Sequence, residues 1–351
     1  MLVKPDCPKL QFSGRIDDTK DAKFFVFPCS YVKIRFTGSK LAVLLENHQA
    51  YWDNYMGYIL DGEQGKILLA ESGKQKYEIA IKQKTENNEN TVQEHEFLLF
   101  KRMDACHYVT FYGMELEEGS QVLDLPKLPQ RRIEVYGDSV SAGEVSEAVS
   151  YAGKEDPVHN GEYSNSWYSY AWLTARRLHA QIHDIAQGGI ALLNGTGWFF
   201  EPDSVGMESV WDKVRYNPQL GDSSRWDFGR YIPQVVIVAI GQNDSHPDNF
   251  MAEDFESVQS KKWREHYQAF LKNLREHYPD AHIICCTTLL CHEKAWDDAI
   301  DQVCQELGDA GVSHFLFRRN GAGTPGHLRI PEAEEMAEEL SAYIEGLGVF
   351  E

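Results

Sequence analysis

The sequence predicts two units in series: an all-β sandwich or jelly roll over residues 1–128, then a three-layer α/β domain with a parallel sheet over residues 129–351. Three observations predict this. The first third alternates apolar and polar residues in short runs, Leu125-Pro126-Lys127-Leu128-Pro129 breaks that pattern, and beyond it apolar runs alternate with amphipathic helical stretches. Strands are expected at 31–36, 41–46, 55–60, 66–69, 76–81, 96–100 and 108–112. Thr37-Gly38-Ser39, Asp61-Gly62, Ser72-Gly73 and Glu86-Asn87-Asn88-Glu89-Asn90 serve as turns. In the second unit, strands are expected at 132–136, 182–185, 235–240, 283–289 and 314–317. Of these, 235–240 is apolar throughout, as a strand buried on both faces should be. Helices are expected at 166–179, 260–277 and 295–310. A last helix carries Ala333, Met336, Ala337, Leu340 and Ile344 on one stripe, with glutamates in its early turns where the dipole favours them.

Composition narrows the function. The 351 residues are 42% hydrophobic and 25% charged, with 27 Gly and 13 Pro, which excludes collagen-like, coiled-coil and largely disordered chains. No apolar run reaches the ~18 residues of a spanning helix. Thirty-four basic against 54 acidic residues give a net charge of −20, a field that repels phosphate backbones and anionic lipid surfaces. Neither nucleic acid nor membrane is therefore an expected partner, whereas a neutral sugar is untouched by this argument. Seven irregularly spaced cysteines and an N-terminus without an apolar signal core lead to an expected cytoplasmic location.

Ligands of open parallel sheets bind beyond the carboxyl ends of the strands, so the residues directly after each strand carry the most information. Gly137-Asp138-Ser139 follows the first strand and would present a serine hydroxyl near a helix start. Gly188-Gly189 follows the second, with a backbone N–H that can face an oxyanion. Gly241-Gln242-Asn243-Asp244 follows the third, with an amide donor at Asn243. Each tripeptide is also an ordinary turn or helix cap. A serine nucleophile needs a base. His327, just before the last helix, sits at the same rim; His246 and His292 also follow strands. No metal site is expected, because Cys285, Cys286, Cys291 and His292 lack ligand spacing. No cofactor is expected, because no glycine-rich phosphate motif occurs.

Together these residues resemble the SGNH/GDSL hydrolase superfamily, whose four markers would be Ser139, Gly189, Asn243 and His327. With Phe12-Ser13-Gly14-Arg15, Phe36-Thr37-Gly38, Ile59-Leu60-Asp61-Gly62, Ser169-Tyr170-Ala171 and Trp226-Asp227-Phe228, the chain is similar to carbohydrate esterase family 2. The resemblance implies a serine acetyl esterase that deacetylates hemicellulose-type saccharides such as xylan or glucomannan. Ser139 would be the nucleophile, His327 the base, and Ser139, Gly189 and Asn243 the oxyanion hole. The acid common three residues before the histidine is Thr324 here, so the resemblance implies a Ser–His dyad oriented by a backbone carbonyl, that of Thr324; Asp244 and Glu332 are the alternative acids. Competing readings are a lipid esterase or thioesterase on the same fold and a non-catalytic carbohydrate-binding protein. Trp52 in a sandwich loop and Trp198, Trp211, Trp226 and Trp296 in or near connecting segments are candidate sugar contacts, and the polar segment 144–165 is a candidate cleft wall.

Overall fold

The computed structural model describes residues 1–19, 21–82, 93–221 and 223–351; the turn expected at Glu86–Asn90 lies outside them. Two six-stranded antiparallel sheets form the N-terminal unit. One runs Asp17–Asp18, Lys23–Phe25, Tyr108–Leu116, Leu41–His48, Lys74–Ile79, with Leu2–Val3 also paired to Tyr108–Leu116. The other runs Val122–Leu123, Tyr31–Thr37, Glu94–Lys101, Tyr55–Leu60, Glu63–Leu68, with Gln11–Ser13 also paired to Tyr31–Thr37. Their alternating residues meet in one core: Val43, Leu45, Val109 and Phe111 from the first sheet pack against Val32, Ile34, Phe97 and Leu99 from the second.

The second unit is a five-stranded parallel sheet in the order Ala180–Ala186, Arg131–Gly137, Val235–Ala239, His282–Cys285, Val312–His314. Val235, Ile237 and Ala239 face helices Tyr170–Arg177 and Ile330–Gly346, while Val236 and Val238 face Val258–His277 and Ala295–Leu307. This alternation makes three layers. Cys285 and Cys286 fall into opposite cores, so they cannot converge on one ion. Several elements end away from their patterns: the helix expected at 295–310 stops at Leu307, and the strand expected at 314–317 is Val312–His314. Ser169 accepts from Trp172 N and starts the α-helix at Tyr170, leaving Ser166–Tyr168 as a 3₁₀ turn. The strand at 282 ends at Cys285, and the following residues serve the loops of the sheet edge.

The two units are packed tightly. Arg15, from the sandwich, is fully buried among Phe27, Tyr136, Trp226 and Phe228. It donates to Glu134 Oε1 (3.3 Å) and Tyr136 Oη (2.9 Å) on the first parallel strand, and to the carbonyls of Trp211 and Lys213. Nearer the carboxyl end of the sheet, buried Lys101 donates to the carbonyls of Met103 and Asp104, which shapes the loop that reaches the second strand. Ala105 N bonds Ala186 O there (3.2 Å).

Candidate active site

The sheet order places the second and third strands on opposite sides of the first, so the chain reverses its direction of winding at Gly137 and a crevice opens there. Asp138 caps the short helix Ser139–Ala142 by accepting from Val140 N (2.9 Å). A side chain at Gly137 would strike Ser141 Oγ at 2.0 Å, so the sharp turn that presents Ser139 requires glycine. Asp138 Oδ2 also accepts from Gln242 Nε2 (2.7 Å) and Asn243 Nδ2 (3.2 Å), tying the third strand's loop to the nucleophile corner. Burial pushes the Asp138 carboxyl up to about 6.

His327 Nε2 lies 2.7 Å from Ser139 Oγ. Its Nδ1 lies 2.6 Å from Asp156 Oδ2, and its own backbone N–H donates to Asp156 Oδ1 (2.9 Å). The expected orientation of His327 by the Thr324 carbonyl is therefore corrected: a carboxylate does it, and the site is a Ser–His–Asp arrangement, not a dyad. The Thr324 carbonyl accepts from Cys291 N (2.9 Å) in a bridge to the sheet edge, which takes it out of reach. Neither alternative acid serves. Asp244 is consumed by Leu192 N, Leu193 N and Thr196 Oγ1, and Glu332 by Arg329 N and Gly153 N. Asp156 stands 171 positions before His327 in the long segment after the nucleophile. Sequence reasoning marks that segment as a cleft wall, but its several acids give no signal that selects Asp156.

The other marker positions converge on the same point. Asp104, from the sandwich loop, accepts the N–H of Gly188 (2.7 Å), so Gly188 is committed; among the described residues the N–H groups of Gly189 and Ser139 have no acceptor. Gly189 has φ +70°, and a Cβ there would approach Trp198 Cβ to 2.8 Å. Asn243 Nδ2 bonds the carbonyl of Ile190 (3.0 Å) as well as Asp138. The other candidate bases lie apart. His292 is held by the Leu290 carbonyl and Asp297, and His246 pairs with Glu201 and stacks on Trp198.

Charge organises the site. Asp156 is held well below the usual carboxylate range: burial works against this, but hydrogen bonds from His159 and His327 and the charge of Arg329 prevail. For His327, burial favours the neutral ring, yet the charge of Glu144 and the bond to Asp156 together raise its proton affinity above the ordinary value. A second histidine, His159, joins Glu144 Oε1 (2.6 Å) to Asp156 Oδ2 (3.1 Å). Two groups have donor atoms close enough to share an ion, Asp104–Cys106–His107 and Asp156–His159–His327. Hydrogen bonds already link Asp104 to Cys106 and Asp156 to both histidines.

These residues line a cavity of about 600 Å³, walled by Tyr51 and Trp52 of the sandwich and by Trp198 and Leu290 of the α/β domain. Asp104, Glu144, Asp156 and Glu201 face it, with no lysine or arginine among the described lining residues. No described helix is long and apolar enough to cross a membrane.

Residues 12–126 match the carbohydrate esterase 2 N-terminal family, and residues 135–326 match the GDSL-like lipase/acylhydrolase family. The chain is 33% identical over 264 residues to the cellulase/esterase CelE of Acetivibrio thermocellus, covering 71% of this chain and 30% of that protein. It therefore spans under a third of that relative's length. It is 28% identical over 282 residues to the acetylxylan esterase/glucomannan deacetylase of Cellvibrio japonicus, covering 79% of this chain and 70% of the other. A family two carbohydrate esterase from Clostridium thermocellum, solved with cellohexaose, superposes with a TM-score of 0.79 at 26% identity over 97% of this chain and 99% of its own. With a sandwich of this type in front of a GDSL-type domain along almost its whole length, the chain belongs to carbohydrate esterase family 2.

Proposed function

We propose that this protein is a serine esterase that removes O-acetyl groups from oligosaccharides of the hemicellulose type, xylan or mannan and glucomannan. The observation that carries the reading is the unbroken chain Ser139 Oγ–His327 Nε2 (2.7 Å) and His327 Nδ1–Asp156 Oδ2 (2.6 Å) on the floor of an aromatic-walled cavity. Ionised Asp156 accepts only, so Nδ1 carries the ring proton and Nε2 is free to accept from Ser139. Ser139 Oγ attacks the acetyl carbonyl as its proton passes to His327, giving a tetrahedral oxyanion. The N–H groups of Ser139 and Gly189 stabilise that charge, joined by the Asn243 amide, which shares the proton now in its longer bond to Asp138. His327 returns the proton to the departing sugar oxygen. Water, deprotonated by the same ring, then cleaves the acetyl-enzyme to acetate.

Two features support a neutral saccharide. Tyr51, Trp52 and Trp198 are 37–56% exposed at the rim, amphipathic faces suited to sugar rings. The carboxylate-rich lining disfavours anionic substrates. The relative from Cellvibrio japonicus named acetylxylan esterase/glucomannan deacetylase agrees with this reading. The test is mass spectrometry of acetylated xylo- and manno-oligosaccharides after treatment, with Ser139→Ala as control. Loss of acetyl groups by treatment with the wild type alone is expected. A preference for long-chain esters, or undiminished release by a folded Ser139→Ala, overturns the reading.

A further inference from the structure

We propose that His159 is a fixed imidazolium clamped between Glu144 and Asp156, a positioning residue that locks Asp156 against His327 and keeps His327 free to act as a base. The proposal rests on the catalytic reading given above. Its first support is stoichiometric. Nδ1 of His159 meets Glu144 Oε1 at 2.6 Å and Nε2 meets Asp156 Oδ2 at 3.1 Å. Asp156 also receives His327 Nδ1 and the His327 N–H and forms an ion pair with Arg329, so it is ionised and accepts only. Despite burial, the charge of His327 and the bond to His159 hold Glu144 below the usual carboxylate range, so it too accepts only. A neutral imidazole has one donor and cannot satisfy two ionised carboxylates. Both ring nitrogens of His159 therefore carry protons, and the two hydrogen bonds hold that ring protonated up to about 10.

The second support is spatial. The two imidazole rings stand 5.4 Å apart, and Trp52 of the sandwich covers His159 edge-on at 5.5 Å. The charged groups around His327 are Asp156 and Glu144, with Asp138 beneath Ser139 and Arg329 behind Asp156. Asp104 lies beyond Glu144. Glu144 Oε2 is only 3.8 Å from His327 Nε2, the nitrogen that must accept from Ser139. Without a cation here, His327 would face two bare carboxylates, take up a proton, and donate it to Glu144 in place of accepting one from serine. The His159 charge opposes that protonation and pins Glu144 by its other oxygen.

The variants that test this are His159→Gln, which keeps a polar side chain without charge, and His159→Arg, which restores a charge with several donors. The readout is kcat/KM on a chromogenic acetate ester against pH, whose acid limb reports the base of the free enzyme. Removing a unit charge 5.4 Å away should move the acid limb of His159→Gln upward by about one pH unit, while the alkaline plateau falls less than about tenfold. His159→Arg should bring the limb back most of the way. A limb that stays in place in folded His159→Gln overturns the proposal, as does a loss uniform across pH that Arg does not restore. A measurement on the unaltered protein guards against failure of the variants to fold. NMR of the histidine rings should show one imidazolium that persists well above neutral pH, and its absence overturns the proposal. That titration is read on resting protein and stands apart from whether Ser139 is the nucleophile, which Ser139→Ala decides.

Discussion

Replacing Asp156 by Asn should be more damaging than removing its side chain, because its neighbours dictate how the new amide must face. Oδ1 accepts from the backbone N–H of His327 (2.9 Å), an obligate donor, and faces the guanidinium of Arg329, whose Nη2 lies 2.9 Å away in an ion pair. Only the amide oxygen can take that place, which turns the NH₂ group toward His327 Nδ1, 2.6 Å from the present Oδ2. The amide then donates to Nδ1 and leaves the ring proton on Nε2, facing Ser139. In that tautomer the imidazole has nothing with which to accept the serine proton. The expected fall in kcat is about 10⁴-fold, the size of the same wrong-tautomer effect in a serine protease triad. Asp156→Ala leaves the tautomer free and should retain more activity. Both changes remove the charge that opposes Arg329, which is fully buried, at a cost of about 3 kcal/mol, the lower end for a broken buried pair because Asp156 is itself 20% exposed. Initial rates on a chromogenic acetate should be taken well below the melting temperature that calorimetry gives for each variant. If Asp156→Asn keeps its kcat within tenfold of wild type while folded, Asp156 does not set the tautomer and the reasoning fails.

Thr324→Val should leave activity within about twofold and hold or raise the melting temperature, since Thr324 Oγ1 is buried with no hydrogen-bond partner among the described residues; a large loss of kcat would return Thr324 to the mechanism. Asn243→Ala should lower kcat by about 10²–10³ with little change in KM, and a change confined to KM would make Asn243 a sugar contact. Because the proton affinity of His327 is raised and the ring must be neutral to act, the acid limb of kcat/KM should fall above the ordinary histidine value of 6.5. A limb below that value contradicts the charge arrangement. Acetylated oligogalacturonides should be poorer substrates than acetylated neutral oligosaccharides at low salt, with the gap narrowing as salt rises; equal rates would show that the acidic lining does not select.

The residues legible in the sequence are those whose place follows from strand register. Ser139, Gly189 and Asn243 each follow the carboxyl end of a strand in one parallel sheet, and any such sheet gathers those ends at one rim. His327 is legible for a related reason, since it stands in the loop that feeds the last helix back against that rim. Asp156 and His159 obey no register. They lie in a long segment whose course is set by contacts remote in sequence, such as Arg102 Nε on the Ser164 carbonyl (3.0 Å) and Arg329 on Asp156. Asp104 is hidden for a stronger reason: it comes from the other unit, and only the docking of the two brings it to Gly188. Element ends erred where a single cap decides them, as at Ser169, because apolar periodicity runs on through a cap that redirects the backbone.

The buried Arg15–Glu134 pair has a consequence for how the two halves can be inherited and engineered. A chain that kept the α/β half alone would carry a carboxylate in the first strand of its sheet with its guanidinium gone. The hydroxyls of Tyr136 and Tyr278 would still donate to it, but a buried carboxylate without its counter-charge costs more than most single contacts return. Nor would the sandwich alone be content, since apart from Phe27 the rings around Arg15, those of Tyr136, Trp226 and Phe228, belong to the other half. The halves therefore melt as one body, and an exchange of sandwiches between relatives succeeds only when residues 15 and 134 travel as a matched set. The sandwich is in this sense less an accessory fastened to a catalyst than one side of a shared keystone.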